Sequence, residues 1–455
     1  MQLHAAAARG DLDGMASALK RGSDVNARNS GDATALVFAL SQARALSRRS
    51  GPLVTADAVR LLLDAGADLE AEDSLGYTAI HQAVRIPDRA LLDVILERGG
   101  NAKHSTKSGY SVLTHACYQP SGLHKQAIVR RLFEAGVSLD AASDYGEFPL
   151  GVCLGFGDLE TLRVLLDLGA APGPLNWTPL HHAVALGSVS DVEGIAPTPA
   201  AINAANQRYQ LSPWLLAFIR GDLAIIRWLA EHGADLTMQG RCGESPLHLA
   251  AQFGHVAALH WLLDLGADPN SLDRFGESPL NKAAEWNQVG CASALIHFGA
   301  DAKRENHTQA QPIHAAKSLE MLQALVELGG ADVNAVDDCG NWPLKLAAER
   351  RDVTLVRWLL EHGAAVDRTS TGETALHAAV ASDSCETVAL LLAAGANPNQ
   401  QDVDGWTPLF AAQSREVIHL MRRAGADPTT ADQAACGPKG WMKDPILREA
   451  LREEL

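Results

Sequence analysis

The stretch that decides the fold, Cys242–Asp273, reads CGESPLHLAAQFGHVAALHWLLDLGADPNSLD. Ser245 followed by Pro246 is typical of a helix start, because serine caps free N–H groups and proline suits the first helical position. Leucines and alanines recur at helical spacing on both sides of Gly254, which predicts two short helices joined by a turn. Gly266 can end the second helix in a left-handed conformation.

The phrase that ends this unit, Gly-Ala-Asp or a close variant, returns twelve times along the chain. Its glycines are Gly22, Gly66, Gly99, Gly136, Gly169, Gly233, Gly266, Gly299, Gly330, Gly363, Gly395 and Gly425. Successive glycines are 30 to 44 residues apart, except for one gap of 64, and the commonest gap is 33. This period indicates a solenoid in which each unit packs only on its neighbours, and it favours an extended binding surface over a single catalytic pocket.

Composition narrows the class of protein. The 455 residues include 38 basic and 54 acidic side chains, a net charge of −16, which argues against binding to nucleic acid through a basic face. No run of 18 apolar residues is present, so we expect no contact with the membrane interior. The seven cysteines form no CxxC pair, which favours a reducing compartment and a cytoplasmic protein.

The order TPLHxAA, GH, LLxxGADxN resembles the ankyrin repeat. Its Thr/Ser-Pro element recurs at 178–179, 212–213, 245–246, 278–279 and 407–408, and its histidine at His81, His181, His248, His314 and His377. The resemblance implies an all-α repeat solenoid of stacked helix-turn-helix units with β-hairpin-like fingers, wound into a curved superhelix. It also implies that inner helices and fingers line a concave binding face, and that the repeat histidines hydrogen-bond the finger backbone.

We divide the chain into four segments on this basis. Residues 1–175 form an N-terminal ankyrin stack with insertions at 43–54 and 118–125, and residues 211–432 form a C-terminal stack. Residues 176–210 read as a degenerate repeat whose outer helix, near 190–200, is interrupted by prolines; it is either a neutral variant or a bend. Residues 433–455 predict a C-terminal capping helix.

Candidate partner-binding residues lie at the position after each finger glycine and at the end of the inner helices, both on the concave side in the family. They are Tyr77, Tyr110, Trp177, Glu244, Phe253, Glu277, Trp286, Arg350, Glu373 and Trp406. Aromatic side chains are frequent anchors at interfaces. The alternative is that these side chains are ordinary repeat residues that pack on neighbouring units.

The two insertions fall between inner and outer helices and would lie on one edge of the stack. They carry Arg48, Arg49, His124 and Lys125, the one candidate set for a small anionic ligand. The insertions are either tolerated loops or a binding edge.

The function that this sequence favours is binding of another protein, one with a basic surface, by a cytoplasmic monomer or weak dimer. A bacterial toxin-neutralising protein or a host-directed effector would fit. No HExxH, GxxxxGK[ST] or GxSxG motif is present, so we expect no catalytic residue, no metal and no cofactor. The alternative is a scaffold that binds or acts on a small anion at the insertion edge or the degenerate repeat.

Overall fold

Pairs of short helices follow one another along the whole described chain. The computed structural model describes residues 2–46, 54–86, 88–119, 122–206, 209–369 and 372–428. Within these residues every named element is helical, and one isolated bridge joins Ser105 to Ser111. The chain divides into two compact units, one comprising Met1–Ala196 with Asn206–Tyr209, and the other Pro197–Ala205 with the chain from Gln210 onward. The predicted all-α repeat class is confirmed.

The first unit contains six described helix pairs, each with an inner and then an outer helix. They are α1 (Gln2–Ala8) and α2 (Leu12–Lys20), α3 (Ala35–Leu46) and α4 (Ala56–Asp64), α5 (Ala79–Ala83) and α6 (Arg89–Glu97), α7 (Val112–Cys117) and α8 (Leu123–Glu134), α9 (Pro149–Gly155) and α10 (Leu159–Asp167), and α11 (Pro179–Leu186) and α12 (Val189–Ile195).

The second unit opens with the short helix α13 (Pro199–Asn203). Its described pairs are α14 (Pro213–Arg220) and α15 (Leu223–Glu231), α16 (Pro246–Phe253) and α17 (Val256–Asp264), α18 (Pro279–Glu285) and α19 (Val289–His297), the 3-10 turn Pro312–Ala315 and α20 (Leu319–Gln323) with its π-helical continuation Ala324–Leu328, α21 (Pro343–Glu349) and α22 (Val353–Glu361), α23 (Ala375–Ala381) and α24 (Cys385–Ala393), and the 3-10 turn Pro408–Ala411 and α25 (Arg415–Arg423).

His248 and His377 each bond their own repeat to the following one. His248 Nδ1 lies 3.2 Å from the Ser245 backbone nitrogen and 2.8 Å from its hydroxyl, which closes a capping box at the start of α16. Its Nε2 lies 3.0 Å from the Glu277 carbonyl in the following finger. His377 repeats the arrangement, with Nε2 3.1 Å from the Trp406 carbonyl. The structural role expected for the repeat histidines is confirmed at these two positions.

Asparagines form a second fastening at the opposite end of the unit. Asn270 donates from Nδ2 to the Gly299 carbonyl (3.0 Å) and accepts at Oδ1 from the Asp301 backbone N–H (2.8 Å). Four further asparagines make the same pair of bonds to the next repeat: Asn26, Asn203, Asn334 and Asn399. The backbone of the Gly-Ala-Asp phrase therefore receives this side chain. We call this contact the asparagine staple.

The fingers are tight turns rather than strands. In one finger the Gly276 N–H donates to the Asp273 carbonyl (3.1 Å) and the Asp273 N–H donates to the Glu277 carbonyl (3.0 Å). The Arg274 N–H reaches back to the Cys242 carbonyl (2.8 Å), so adjacent fingers are also bonded to each other. These turns present the residue after the finger glycine beside the inner helix of the same unit.

The insertions lengthen helices as well as loops. Inner helix α3 and outer helix α8 each have twelve residues, whereas α4, α6 and α10 have nine. Residues 43–46 therefore continue α3, and residues 123–125 form the start of α8. Residues 47–53 lie outside the described part of the chain.

The degenerate repeat contains the short outer helix that the prolines predict. Helix α12 has seven residues and ends at Ala196, whose φ of 48° is in the left-handed region. Pro197 follows, and α13 begins after Thr198. The four-segment division and the bend stay predictions, and the capping helix predicted for 433–455 lies outside the described residues.

Candidate protein-binding surface

Six aromatic side chains of the first unit form a continuous group on its fingers and inner helices. We call Tyr77, Tyr110, His115, Tyr118, Tyr145 and Phe156 the aromatic array. His115 is central: its ring centroid lies 5.1 Å from that of Tyr77, 5.5 Å from that of Tyr110 and 6.4 Å from that of Tyr118.

The exposed side of the array consists of Tyr118, Tyr145 and Phe156. Tyr118 meets Phe156 edge-on at 5.8 Å, and Tyr145 lies 6.3 Å from Tyr110. The exposed fractions of Tyr118, Phe156 and Tyr145 are 38%, 41% and 76%. An exposed cluster of large aromatic residues is typical of an interaction surface.

Glu147 lies within the array and organises it. Its Oε2 accepts hydrogen bonds from the Tyr110 and Tyr118 hydroxyls, each at 2.6 Å. The bond to Glu147 raises the pKa of Tyr110, and burial together with the same carboxylate raises the pKa of Tyr118. Both phenols therefore stay protonated and hold the carboxylate in place on the exposed surface.

Three histidines cluster at the array: His81 and His115 are buried, and His104 is half-buried. His81 is fully buried, with ring centroids of His104 and His115 at 5.5 and 5.6 Å. Burial, followed by the neighbouring His115 and His104, lowers the pKa of His81 to about 3. His81 is therefore neutral in the folded protein at physiological pH, and its ring supports Tyr77 edge-on at 6.0 Å.

Sequence reasoning found Tyr77 and Tyr110 and missed the exposed half of the array. Two signals were available. All five tyrosines of the chain lie between residues 77 and 209. Phe156 also occupies the same repeat position as Phe253 and Trp286, which the sequence had singled out. Tyr118 had no such signal, because it lies in the insertion.

In the second unit the predicted residues Phe253, Trp286 and Trp406 belong to two separate aromatic pairs. Phe253 and Trp286 lie 5.9 Å apart on consecutive inner helices. Trp406, 37% exposed, lies parallel to Phe410 at 6.0 Å. The second pair lines an open cavity of about 440 Å³, whose polar lining residues include Lys345, Glu349, Glu373, His377 and Asp402.

The predicted acidic residues of the second unit bond to the chain itself. Glu277 forms an ion pair with Lys282, and Glu373 forms one with Lys345 at 2.8 Å. Glu244 accepts a hydrogen bond from the Cys242 backbone N–H at 2.8 Å. Their attraction for a basic partner is reduced accordingly, and their role in binding stays a prediction.

Arg350 and Trp177 are also held by neighbouring groups. The Arg350 guanidinium donates to the Ala316 carbonyl (2.7 Å), and burial lowers its pKa. Trp177 meets the His182 ring edge-on at 5.1 Å. Both residues are half-buried, so they offer a partner less surface than the sequence suggested.

The predicted anionic-ligand edge stays a prediction, except at Lys125. Lys125 is wrong as an exposed ligand group: its Nζ lies 2.8 Å from Asp158 Oδ2, and both side chains are 1% exposed. The insertion starts α8 early enough to bring this lysine into the interior beside α10. His124 is exposed, whereas Arg48 and Arg49 lie outside the described residues.

One acidic turn carries three potential metal ligands. Asp337, Asp338 and Cys339 are the sole described trio with the spacing of metal ligands, and Asp338 and Cys339 are exposed on a turn. Nothing else at this turn points to an ion. Among the described helices, none combines the length and apolar character needed to cross a bilayer.

Stacked helix pairs with bonded fingers define a helical-repeat protein, an architecture that presents an extended surface. A family model described as ankyrin repeats in three copies matches residues 198–273, 214–306, 265–337 and 307–402. Residues 198–402 of the chain therefore contain ankyrin repeats. These repeats indicate a protein–protein interaction module.

Similar proteins match over limited parts of their length. The chain is 31% identical over 137 residues to the B-cell lymphoma 3 protein homolog of Mus musculus, covering 29% of this chain and 31% of that one. It is 29% identical over 212 residues to the E3 ubiquitin-protein ligase KEG of Arabidopsis thaliana, covering 43% and 13%. The chain thus spans less than a third of these relatives. The crystal structure of the human ASB11 ankyrin repeat domain matches 48% of this chain and all of that domain, at 29% identity and a TM-score of 0.44.

Proposed function

We propose that this protein binds another protein through the surface formed by its fingers and inner helices, which we call the finger face. The observation that carries the proposal is the aromatic array. It combines four tyrosines, a histidine and a phenylalanine with an exposed carboxylate, the composition expected of an interface anchor.

The cavity beside Trp406 supports the same proposal for the second unit. Trp406 and Phe410 give it an apolar wall, and the ion pair between Lys345 and Glu373 gives it a polar rim. A hydrophobic centre with polar surroundings is the usual anatomy of a protein interface. The second unit would therefore add its own contact with the partner.

We further propose that the partner carries basic side chains and that the protein acts in the cytoplasm as a monomer or weak dimer. The net charge of −16 and the six free cysteines of the described chain support this view. A toxin-neutralising protein or a host-directed effector stays our proposal for its biological role.

The test is affinity capture from native lysate at low salt, with variants of known surface position. Wild-type protein and the control L265A/L328A, which truncates exposed leucines outside the finger face, should recover one partner in equal amounts. Y118A/Y145A or W406A should reduce recovery, while circular dichroism shows an unchanged fold. Equal recovery with every variant, or repeated failure of the wild type to recover any protein, would contradict the proposal.

A further inference from the structure

Four fingers carry a glutamate immediately after the finger glycine. The carboxylate of Glu244 is bonded by the Cys242 backbone N–H, whereas those of the other three are bonded by side chains. Glu277 is paired with Lys282 of its own repeat, and Glu373 with Lys345 of the preceding repeat. In both cases the chain supplies the ammonium group that balances the carboxylate. Glu147 is the third of these glutamates.

Glu147 has no such counter-charge among the residues that the structure describes. Thr114 stands at the repeat position of Lys345, and Val152 stands at the position of Lys282. Neither side chain carries a charge. Two neutral phenols take the place of the lysine and bond to a single oxygen, Oε2. The charge of Glu147 is therefore positioned but not balanced.

The surroundings of Glu147 suit a cation from outside. Tyr118 bonds to it, Tyr145 and Phe156 are the other exposed members of the same array, and aromatic faces attract cations. Its Oε1 accepts no hydrogen bond from the described residues, so one acceptor remains for a donor group. A bound cation would gain both a charge-assisted hydrogen bond and contact with the rings.

We propose that Glu147, with the rings of Tyr118, Tyr145 and Phe156, forms a binding site for an arginine side chain of the partner protein. This inference rests on the proposed function and names the group that the finger face recognises. A guanidinium is planar and weakly hydrated, so it stacks on exposed aromatic rings and still donates N–H groups to a carboxylate. An ammonium group is more strongly hydrated, and a quaternary ammonium has no N–H to donate.

The site can be tested without knowing the partner. Because the chain has five tyrosines, protein labelled with ¹³C in its tyrosine rings gives a spectrum with few signals. Addition of N-acetylarginine amide should shift the signals of Tyr118 and Tyr145 and leave that of Tyr209 in place. The neutral analogue N-acetylcitrulline amide, at the same concentration, should cause no comparable shift. Equal shifts with the two compounds, or none with either, would overturn the proposal.

Two matched variants identify the carboxylate responsible. E147Q should weaken arginine-amide binding by about fivefold or more, because a neutral amide loses the charge-assisted bond. E373Q alters the equivalent glutamate that already has a lysine partner, and its affinity for arginine amide should equal that of the wild type. Unchanged affinity in E147Q, or stronger binding of tetramethylammonium than of arginine amide, would refute an arginine site.

The outcome is separable from that of the proposed function. If a partner is captured through the finger face but arginine amide leaves the tyrosine signals unchanged, the arginine site fails and the interaction module stands. If arginine amide binds in a Glu147-dependent manner but no partner is recovered, the site stands and the proposed function fails.

Discussion

Lys125 and Asp158 form a buried ion pair between neighbouring repeats of the first unit, with Nζ and Oδ2 2.8 Å apart. Lys125 also donates to the Gln119 carbonyl at 2.8 Å, and Asp158 caps α10 by accepting from the Thr161 N–H at 3.1 Å. Burial opposes the charged form of Asp158, but the bonds from Lys125 and Thr161 outweigh it and lower the pKa of this carboxyl. The pair therefore holds the 118–125 insertion against the next repeat.

Removing one partner of this pair should be costly. We expect K125M to lower the free energy of unfolding by about 3–5 kcal/mol, because it leaves a buried carboxylate without its counter-charge. Adding D158N should recover part of the loss, since asparagine removes the charge and can still cap α10. Urea denaturation of the single and double variants measures both values. A K125M protein as stable as the wild type would show that the pair contributes nothing.

The buried His81 should make the first unit sensitive to acid. Its pKa falls from 6.5 to about 3 on folding, so the unfolded chain binds the proton more readily and stability is lost as pH decreases below 6.5. The loss approaches about 1.4 kcal/mol per pH unit for one such group. Thermal unfolding between pH 7 and pH 4 measures this slope.

H81N is the matched control for this acid sensitivity. Asparagine already fills the same repeat position at Asn281, where its Oδ1 accepts from the Ser278 N–H at 3.0 Å. H81N should therefore retain the helix cap and show a shallower decrease in stability between pH 6.5 and pH 4. An identical pH profile in H81N and the wild type would mean that other groups cause the acid sensitivity.

The asparagine staple predicts that substitutions at two of its positions change the free energy of unfolding in opposite directions. Asp367 occupies the staple position but makes a single bond, from the Asn397 N–H at 2.9 Å, because a carboxylate has no hydrogen to donate. D367N should gain a bond to the Gly395 carbonyl and raise the free energy of unfolding by about 0.5–1.5 kcal/mol. N270D should lower it by a similar amount. Chemical denaturation tests both, and changes of the same sign would contradict the staple.

Ala196 should be improved by glycine. It ends α12 with a φ of 48°, a conformation that costs an L-residue about 1 kcal/mol and costs glycine little. A196G should therefore raise the melting temperature of the first unit. A185G, within α11, should lower it, because glycine destabilises a helix interior. If A196G lowers stability as A185G does, the left-handed end of α12 is not a source of strain.

Much of the fold could be predicted because it is encoded locally. Ser245 and Pro246 start a helix, Gly266 ends one, and His248 joins a finger through bonds that recur in other repeats. The β-hairpin-like fingers were expected from the ankyrin resemblance and are present as turns such as Asp273–Glu277. Periodicity identifies these features without any knowledge of long-range contacts.

The candidate surface was harder to predict because it depends on departures from the repeat. Tyr118 and Lys125 belong to one insertion, yet the first is exposed and the second is buried. The burial of Lys125 follows from the early start of α8, which repeat spacing does not reveal. Lys282 lies in the same repeat as Glu277, whereas Lys345 lies in the repeat before that of Glu373. The lack of a lysine partner at Glu147 is therefore recognised only when the three fingers are compared in space.

The uneven staples also have a mechanical consequence. Where Glu70, Asp140 or Asp367 replaces asparagine, one bond instead of two joins the backbone of adjoining repeats. If the protein is stretched from its ends, these joints should separate at lower force than those held by Asn270 or Asn334. The order in which the repeats separate under tension would then depend on whether each staple position holds an amide or an acid side chain.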